Sequence, residues 1–514
     1  MAISADGQLL SKVDVASVEL INQFYPRQLT FSDREWKQGK RIASEESYKV
    51  HEDVDGYLPN FPVIIKGDGY PWTIGNLYLT RLALDSRSND YHHSSHKSKA
   101  LHLCDYLRFL EKEDLDFAVF PESQRRRPTY RYRNDLLDRV SSGLLSRSTA
   151  SARINVVVKF YRTLVAWGLL DRQLLTSEIA FKDFDRTINY INSSGFSASL
   201  SIQTTDISIK GARPTDDPYV IIDQGRLRPL IPEEQYILLN ALRDHNRCLQ
   251  LIFMVALATG ARLQTVCTLS IRNILNVPIN EEGYALINYG GLFDADGKGG
   301  DVGTLWVPER IIRELKHYIY SDVAKKRRIL SFYGESDSNY LFLTRNSTPY
   351  YTSKREMRDR RNKSADRRVN SSGALEEGSP KIGDSVGVFI RQELLPSICK
   401  KHTGFHKFSF HDLRATFGMN LLEACYKQID SINHYRKELG RPLIGYSAAL
   451  DIVQVRLNHK SRKTTERYLK YRDRIHWRKE LVAEFERRLI GDNGEIDPLS
   501  LEISSKAIIG NEGA

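Results

Sequence analysis

The chain has 514 residues, 75 lysines and arginines against 64 aspartates and glutamates, and a net charge of +11. That length predicts two or three domains, and the cationic surplus favours a polyanionic partner while leaving the fold open. Five scattered cysteines with no Cys-x-x-Cys pair exclude a disulfide scaffold and a cysteine zinc module, and fit a reduced cytoplasmic protein.

The start, MAISADGQLLSKVD, lacks a basic region followed by an apolar stretch, so no signal peptide is expected. The longest apolar run, near residues 251–258, is too short to span a bilayer, and no membrane partner is expected. Residues 1–75 read as an N-terminal extension with strand character around GYLPNFPVIIKGDGYPW. Residues 76–191 read as helical. Ala100, Leu103, Leu107 and Leu110 share one stripe, and Ile154, Val157, Tyr161 and Leu164 share another behind an N-cap at Ser148. Arg147, Arg153 and Lys159 fall mostly on the far side of that second helix. The intervening QRRRPTYRYR carries Arg125, Arg126, Arg127, Arg131 and Arg133 beside Tyr130 and Tyr132. Arginines beside aromatics suit phosphates and sugars, so these eight cations are the candidate DNA contacts; a solvated charged loop is the alternative for the run.

Residues 192–229, rich in Ser, Thr, Gly and Asp, read as a linker with room for one short strand. A further domain is expected over 230–490. It opens on a helix with Pro232 and two glutamates in its first turn, followed by a buried helix that ends at Thr259-Gly260. ALINYGG and GTLWVP predict two strands flanking the turn DADGKGGD, and a helix follows near residues 309–319. The basic run 354–368 and the Gly/Ser segment after it predict an inserted, mobile loop. A long helix is expected over 475–489, and residues 491–514 read as a weakly ordered tail. The elements together predict a mainly α chain with a small antiparallel sheet.

Four short segments of the 230–490 region carry chemistry: ATGAR with Arg262, DGKGG with Lys298, HDLR with His411 and Arg414, and LNHKSRKTTERYLKY with His459 and Tyr468. A phosphodiester resists attack because its oxygens are anionic, and arginine forks offset the charge that builds on them. His411 and Arg414, three apart, share a helix face, with Leu413, Phe417 and Leu421 behind them. Tyrosine becomes a covalent nucleophile when the phosphate is activated and a proton acceptor is at hand. Tyr468 is the candidate and Tyr471 its competitor. The helix carrying it is expected to start at Thr464-Thr465. Lys298 on a turn is placed to protonate a leaving oxygen.

The ordered set Arg262, Lys298, His411-x-x-Arg414, His459, Tyr468 resembles the tyrosine recombinase (phage integrase) family. ATGARLQTVCTL is similar to its first arginine box, FSFHDLRATFGMNLL to its second, and LNHKSRKTTERYLKY to its final box, including the Thr-Thr pair and the Arg before the tyrosine. The resemblance spans about residues 231–477 and, more weakly, 77–191. It implies an α+β catalytic domain and a helical core-binding domain that close as a clamp around DNA. It also implies that Tyr468 attacks the scissile phosphate to give a 3′-phosphotyrosyl link and a free 5′-hydroxyl. Arg262, Arg414 and His459 would hold the phosphate, His411 would take the tyrosine proton, and Lys298 would protonate the leaving oxygen. No cofactor and no metal is implied. The implied partners are two double-stranded DNA sites bridged by a homotetramer, with accessory proteins possible. The setting expected is the bacterial nucleoid, and the role integration or excision of a mobile element. The sequence departs from the family in three ways. Thr265 replaces an acidic residue three after the first arginine, Asn458 replaces the glycine before the final histidine, and extra chain lies around residues 428–446. Two other readings stand beside this one: a type IB topoisomerase-like nicking–closing enzyme, and a sequence-specific DNA-binding protein without catalysis.

Overall fold

In the computed structural model, the described residues are 15–25, 28–31, 48–51, 58–85, 91, 93–191, 197–210, 219–223, 225–363 and 380–490. The expected tail from 491 and most of the Gly/Ser segment after the basic run lie outside them. The chain is mainly helical, with five two-stranded antiparallel pairings among the described residues. It divides into two compact units: residues 1–215 with 357–380, and residues 216–356 with 381–514.

In the first unit, β1 (Ser17–Phe24) pairs with β4 (Leu58–Ile65) and β2 (Gln28–Phe31) pairs with β3 (Tyr48–His51). Phe61 and Ile64 of β4 are buried in one core with α1 (Thr73–Asp85), α2 (His93–Lys112), α3 (Pro128–Ser141) and α4 (Arg147–Ala166). Both predicted stripes face that core: Ala100, Leu103, Leu107 and Leu110, then Ile154, Val157, Tyr161 and Leu164. The cap of α4 is Ser146 rather than Ser148. Ser146 Oγ accepts from Thr149 N at 3.1 Å, while Ser148 already sits in the first turn. The basic run is not a loop beyond Arg127, because Pro128 supplies a preset first helical position and α3 starts there. The helical reading also fails before residue 191. DFDRTINYI alternates with period two and forms β5 (Asp183–Ile191), paired with β6 (Ser197–Thr205), so a hairpin stands where one short strand was expected.

The second unit opens with a short hairpin, β7 (Ile221–Ile222) and β8 (Arg226–Leu227). Next comes α5 (Pro232–Leu242), where Glu234 accepts from Ile231 N at 3.1 Å. Then α6 (Arg247–Thr259) is capped by Asn246 and stopped by Gly260 at φ +67°. The predicted strands form β9 (Tyr284–Tyr289) and β10 (Gly303–Pro308), antiparallel. Lys354–Lys363 is helical, not loop. The C-terminal part is α7 (Asp412–Glu438), α8 (Ser447–Arg456) and α9 (Arg462–Ile490). The extra residues expected around 428–446 partly extend α7. α9 starts at Arg462 and runs on as one helix, so Thr464 and Thr465 lie inside it and do not cap it. The larger core of this unit gathers α5, α6 and the β9–β10 pair. A smaller one joins Ile221 and Leu227 of the hairpin to Phe417, Leu450, Leu457, Tyr468 and Tyr471. Among the described residues no helix is long and apolar enough to cross a membrane.

Candidate active site

Arg414 enters the site from the first turn of α7, whose residues 412–418 are all buried. Its Nη1 donates to Gly260 O at 2.9 Å and its Nη2 to Leu457 O, which fixes the guanidinium between the end of α6 and the end of α8. Its Nε donates to Asp223 Oδ2 at 3.1 Å. Arg262 follows Gly260 and is also buried. Its Nη1 reaches Asp301 Oδ2 at 3.5 Å, and its Nε has no protein partner. Burial first and the Arg414 charge second push the Arg262 pKa down. Two buried guanidiniums side by side call for an anion.

His459 lies just past α8, after Asn458 at φ +50°, a backbone state that asparagine tolerates. Its Nε2 is 3.1 Å from Asp223 Oδ2, and its Nδ1 is 3.0 Å from Thr465 Oγ1. A carboxylate only accepts, so Nε2 carries hydrogen toward Asp223, and Nδ1 shares a hydrogen bond with the Thr465 hydroxyl. Thr465 thus anchors the ring from inside α9. Three residues on, Tyr468 is fully buried and its hydroxyl donates to the same Asp223 Oδ2 at 3.0 Å. Burial, then the Asp223 charge, raise the Tyr468 pKa well above that of an ordinary phenol. Tyr471 packs in the smaller core.

His411 precedes α7 and is half-buried, with Nε2 enclosed and without a protein partner. Burial and the nearby Arg414 lower its pKa, and Lys298 contributes in the same direction. Lys298 is exposed on the turn Lys298–Gly300 between β9 and β10. Arg262, Arg414, His411, His459 and Tyr468 therefore gather around one point, with Lys298 at their edge.

Two carboxylates were missed by sequence reasoning. Asp223 lay in the stretch read as linker, and only the turn spelling DQG after two isoleucines hinted at a hairpin. Burial would raise its pKa, but the His459 hydrogen bond, the Arg414 charge and the Tyr468 hydroxyl outweigh that and hold it well below the carboxylate range. Asp301 ends DGKGGD and pairs with Arg262 and, at 2.7 Å, with Lys460. It supplies the charge that Thr265, buried at the position expected to be acidic, does not.

The eight cations proposed as DNA contacts fall into two groups. Arg125, Arg126, Arg147 and Lys159 are exposed. Arg127 donates to Pro121 O, Glu122 O and Ile179 O; Arg131 pairs with Glu113, and Arg153 with Asp105 at 2.8 Å. Arg133 is half-buried. Tyr132 is buried against Tyr106 and Phe109, and Tyr130 donates to Asp206. Neither ring is presented as an open stacking surface.

No family model matches the chain, and no curated protein matches it. Among solved structures it is similar to XerH site-specific recombinase bound to palindromic difH substrate, at 13% identity and TM-score 0.41, over 81% of this chain and 88% of that one. It is similar to a lambda integrase dimer bound to a COC' core site, at 14% identity and TM-score 0.37, over 77% and 94%. It is also similar to the Tn1549 transposon integrase in complex with circular intermediate DNA, at 15% identity and TM-score 0.39, over 77% and 94%.

Proposed function

We propose that this chain is a tyrosine-type DNA strand transferase, a site-specific recombinase that integrates or excises a mobile element. The observation that carries the reading is the convergence of Arg414 Nε, His459 Nε2 and the Tyr468 hydroxyl on a single oxygen position, at 3.1, 3.1 and 3.0 Å. A non-bridging phosphate oxygen there would meet a guanidinium, an imidazole N–H and the nucleophile together. Arg262 Nε and His411 Nε2, buried and without protein partners, supply further polar groups for the remaining oxygens and for the tyrosine proton.

In the proposed reaction the Tyr468 oxygen bonds to phosphorus and the P–O5′ bond breaks, its electron pair leaving on O5′. His411, kept neutral by burial and Arg414, takes the phenolic proton, and Lys298 protonates the 5′ oxygen. Rejoining runs these steps backwards with a 5′-hydroxyl from a partner duplex. Residues 230–490 are assigned the chemistry and 76–191 the grip on DNA. Two duplex sites and four copies of the chain complete the proposed assembly.

The test uses a library of nicked duplexes with randomised sequence around the nick, scored for covalent protein–DNA bands on a denaturing gel. A band is expected that Tyr468→Phe abolishes and Tyr471→Phe keeps. A band that survives Tyr468→Phe sinks the assignment of the nucleophile. A band without exchange between two captured sites would place the chain with nicking–closing enzymes. No band on duplexes that the protein binds would make it a DNA-binding protein without catalysis.

A further inference from the structure

Asp223 sits where the recombinase reading needs the scissile phosphate to sit. Its Oδ2 accepts from Arg414 Nε, His459 Nε2 and Tyr468 OH within 3.1 Å, and its side chain is 2% exposed. With Tyr468 itself at zero exposure, no backbone phosphate reaches the tyrosine while the carboxylate is in place. A carboxylate also differs from a phosphate in reach. It satisfies three donors here and leaves Arg262 Nε and His411 Nε2 enclosed without protein partners. A phosphate offers more oxygens, spread tetrahedrally, to the same surround.

Asp223 is delivered by the β7–β8 hairpin. Ile221 and Leu227 are buried in the smaller core, Arg467 of α9 donates to Ile222 O at 2.6 Å, and Arg228 N donates to Asp412 at 2.8 Å. Asp223 N bonds Gly225 O at 3.0 Å, which turns the chain back between the two strands. The hairpin is thus fastened at its shoulders to the two helices that carry Arg414 and Tyr468, and the Asp223 side chain lies between those two residues.

Two roles fit a carboxylate on a tyrosine hydroxyl. A proton acceptor would have to remain beside the phosphate during attack, two anions sharing one set of cations. It would also need proton affinity, and the surrounding donors hold the Asp223 carboxyl well below its usual range against the opposing effect of burial. A stand-in for the phosphate needs neither property: it neutralises the cations while DNA is absent and leaves when DNA arrives.

We propose that Asp223 is an internal phosphate mimic that plugs the active site of the DNA-free protein, and that the scissile phosphate must expel it before Tyr468 can attack. This rests on the recombinase reading for the identity of the displacing group, but the plug itself is a statement about an anion pocket. Cleavage is therefore gated by withdrawal of one side chain on a short hairpin. The Tyr468 hydroxyl, released from the carboxylate, is then free to turn toward phosphorus.

The experiment uses full-length wild type, Asp223→Asn and Asp223→Ala. Melting temperature is measured in sodium phosphate and in sodium chloride at matched ionic strength, and covalent adduct formation is timed on the nicked-duplex library. Phosphate is expected to leave wild type unmoved and to raise the melting temperature of both variants. Adduct formation by Asp223→Asn is expected to be several-fold faster than wild type. Phosphate responses equal in all three proteins overturn the plug, as does failure of both variants to fold in chloride and in phosphate alike. Adducts lost in both variants with duplex binding kept also overturn it, making Asp223 a proton acceptor or positioning residue. A phosphate response confined to the variants, with no adduct from any of the three proteins, keeps the plug and discards strand transfer.

Discussion

A tyrosine enclosed on all sides and hydrogen-bonded to a carboxylate is a weak nucleophile, and the proposed attack by Tyr468 needs two changes first. The carboxylate must give way, and the proton must find an acceptor. His411 is suited to the second task because burial and Arg414 keep its ring neutral at a pH where an exposed histidine begins to charge. The acid limb of kcat/KM reports groups of the free enzyme. For adduct formation it is therefore expected below pH ~6.5, the ordinary histidine value. A depressed pKa extends the neutral, accepting form of His411 to lower pH. His411→Gln should remove the limb and slow adduct formation by roughly 10²–10⁴-fold. A limb at or above the ordinary value, or one untouched by the substitution, would assign the proton to another group.

At the scale of elements, the site depends on how closely α7 and α9 approach, and one glycine permits that approach. A Cβ on Gly418 would lie 2.5 Å from Tyr468 Cε1 and 2.9 Å from Leu457 Cδ1, inside any tolerable contact. Gly418→Ala gains helix propensity of about 1 kcal/mol but forces overpacking that costs about 1–3 kcal/mol. The net stability change is expected to be small, and the chemical change large. A displacement of the nucleophile by about 1 Å costs on the order of 100-fold in rate. Adduct timing against duplex affinity separates the two effects, and Gly404→Ala, with open space around it, is the control. An unchanged adduct rate for Gly418→Ala would show that the Tyr468 ring is not held by this packing. The same elements show what was legible in the sequence. The stripes of α2 and α4, the end of α6 and the β9–β10 pair followed from periodicity and from Gly260. The candidate set Arg262, His411, Arg414, His459 and Tyr468 was marked by its resemblance to the family's boxes, and the structure brings those five side chains together. Asp223 and Asp301 were not marked, because an acid in a turn has no period and its partners lie far along the chain. The start of α9 was misplaced for a related reason. Thr465 resembles a cap, yet its hydroxyl serves His459 six residues earlier, a tertiary use that local spelling does not reveal.

For the whole molecule, a surplus of eleven positive charges predicts DNA binding that weakens steeply with salt. The structure sharpens which cations to test, because each phosphate contact adds about 0.9 to the slope of log K against log salt. Arg125, Arg126 and Lys159 are exposed on the first unit, so replacing all three with alanine should flatten the slope by up to about 2.7. Arg127 is different. Its guanidinium ties backbone carbonyls from two stretches of the chain, 121–122 and 178–179, and removing it leaves part-buried acceptors unpaired. Arg127→Ala should lower the melting temperature and leave the salt slope unchanged. Filter binding across a salt series, beside thermal melting, reads both quantities on the same proteins. A triple variant with the wild-type slope would move the DNA contact away from these three cations. A flattened slope for Arg127→Ala would show that its backbone ties open on DNA to release the guanidinium to a phosphate.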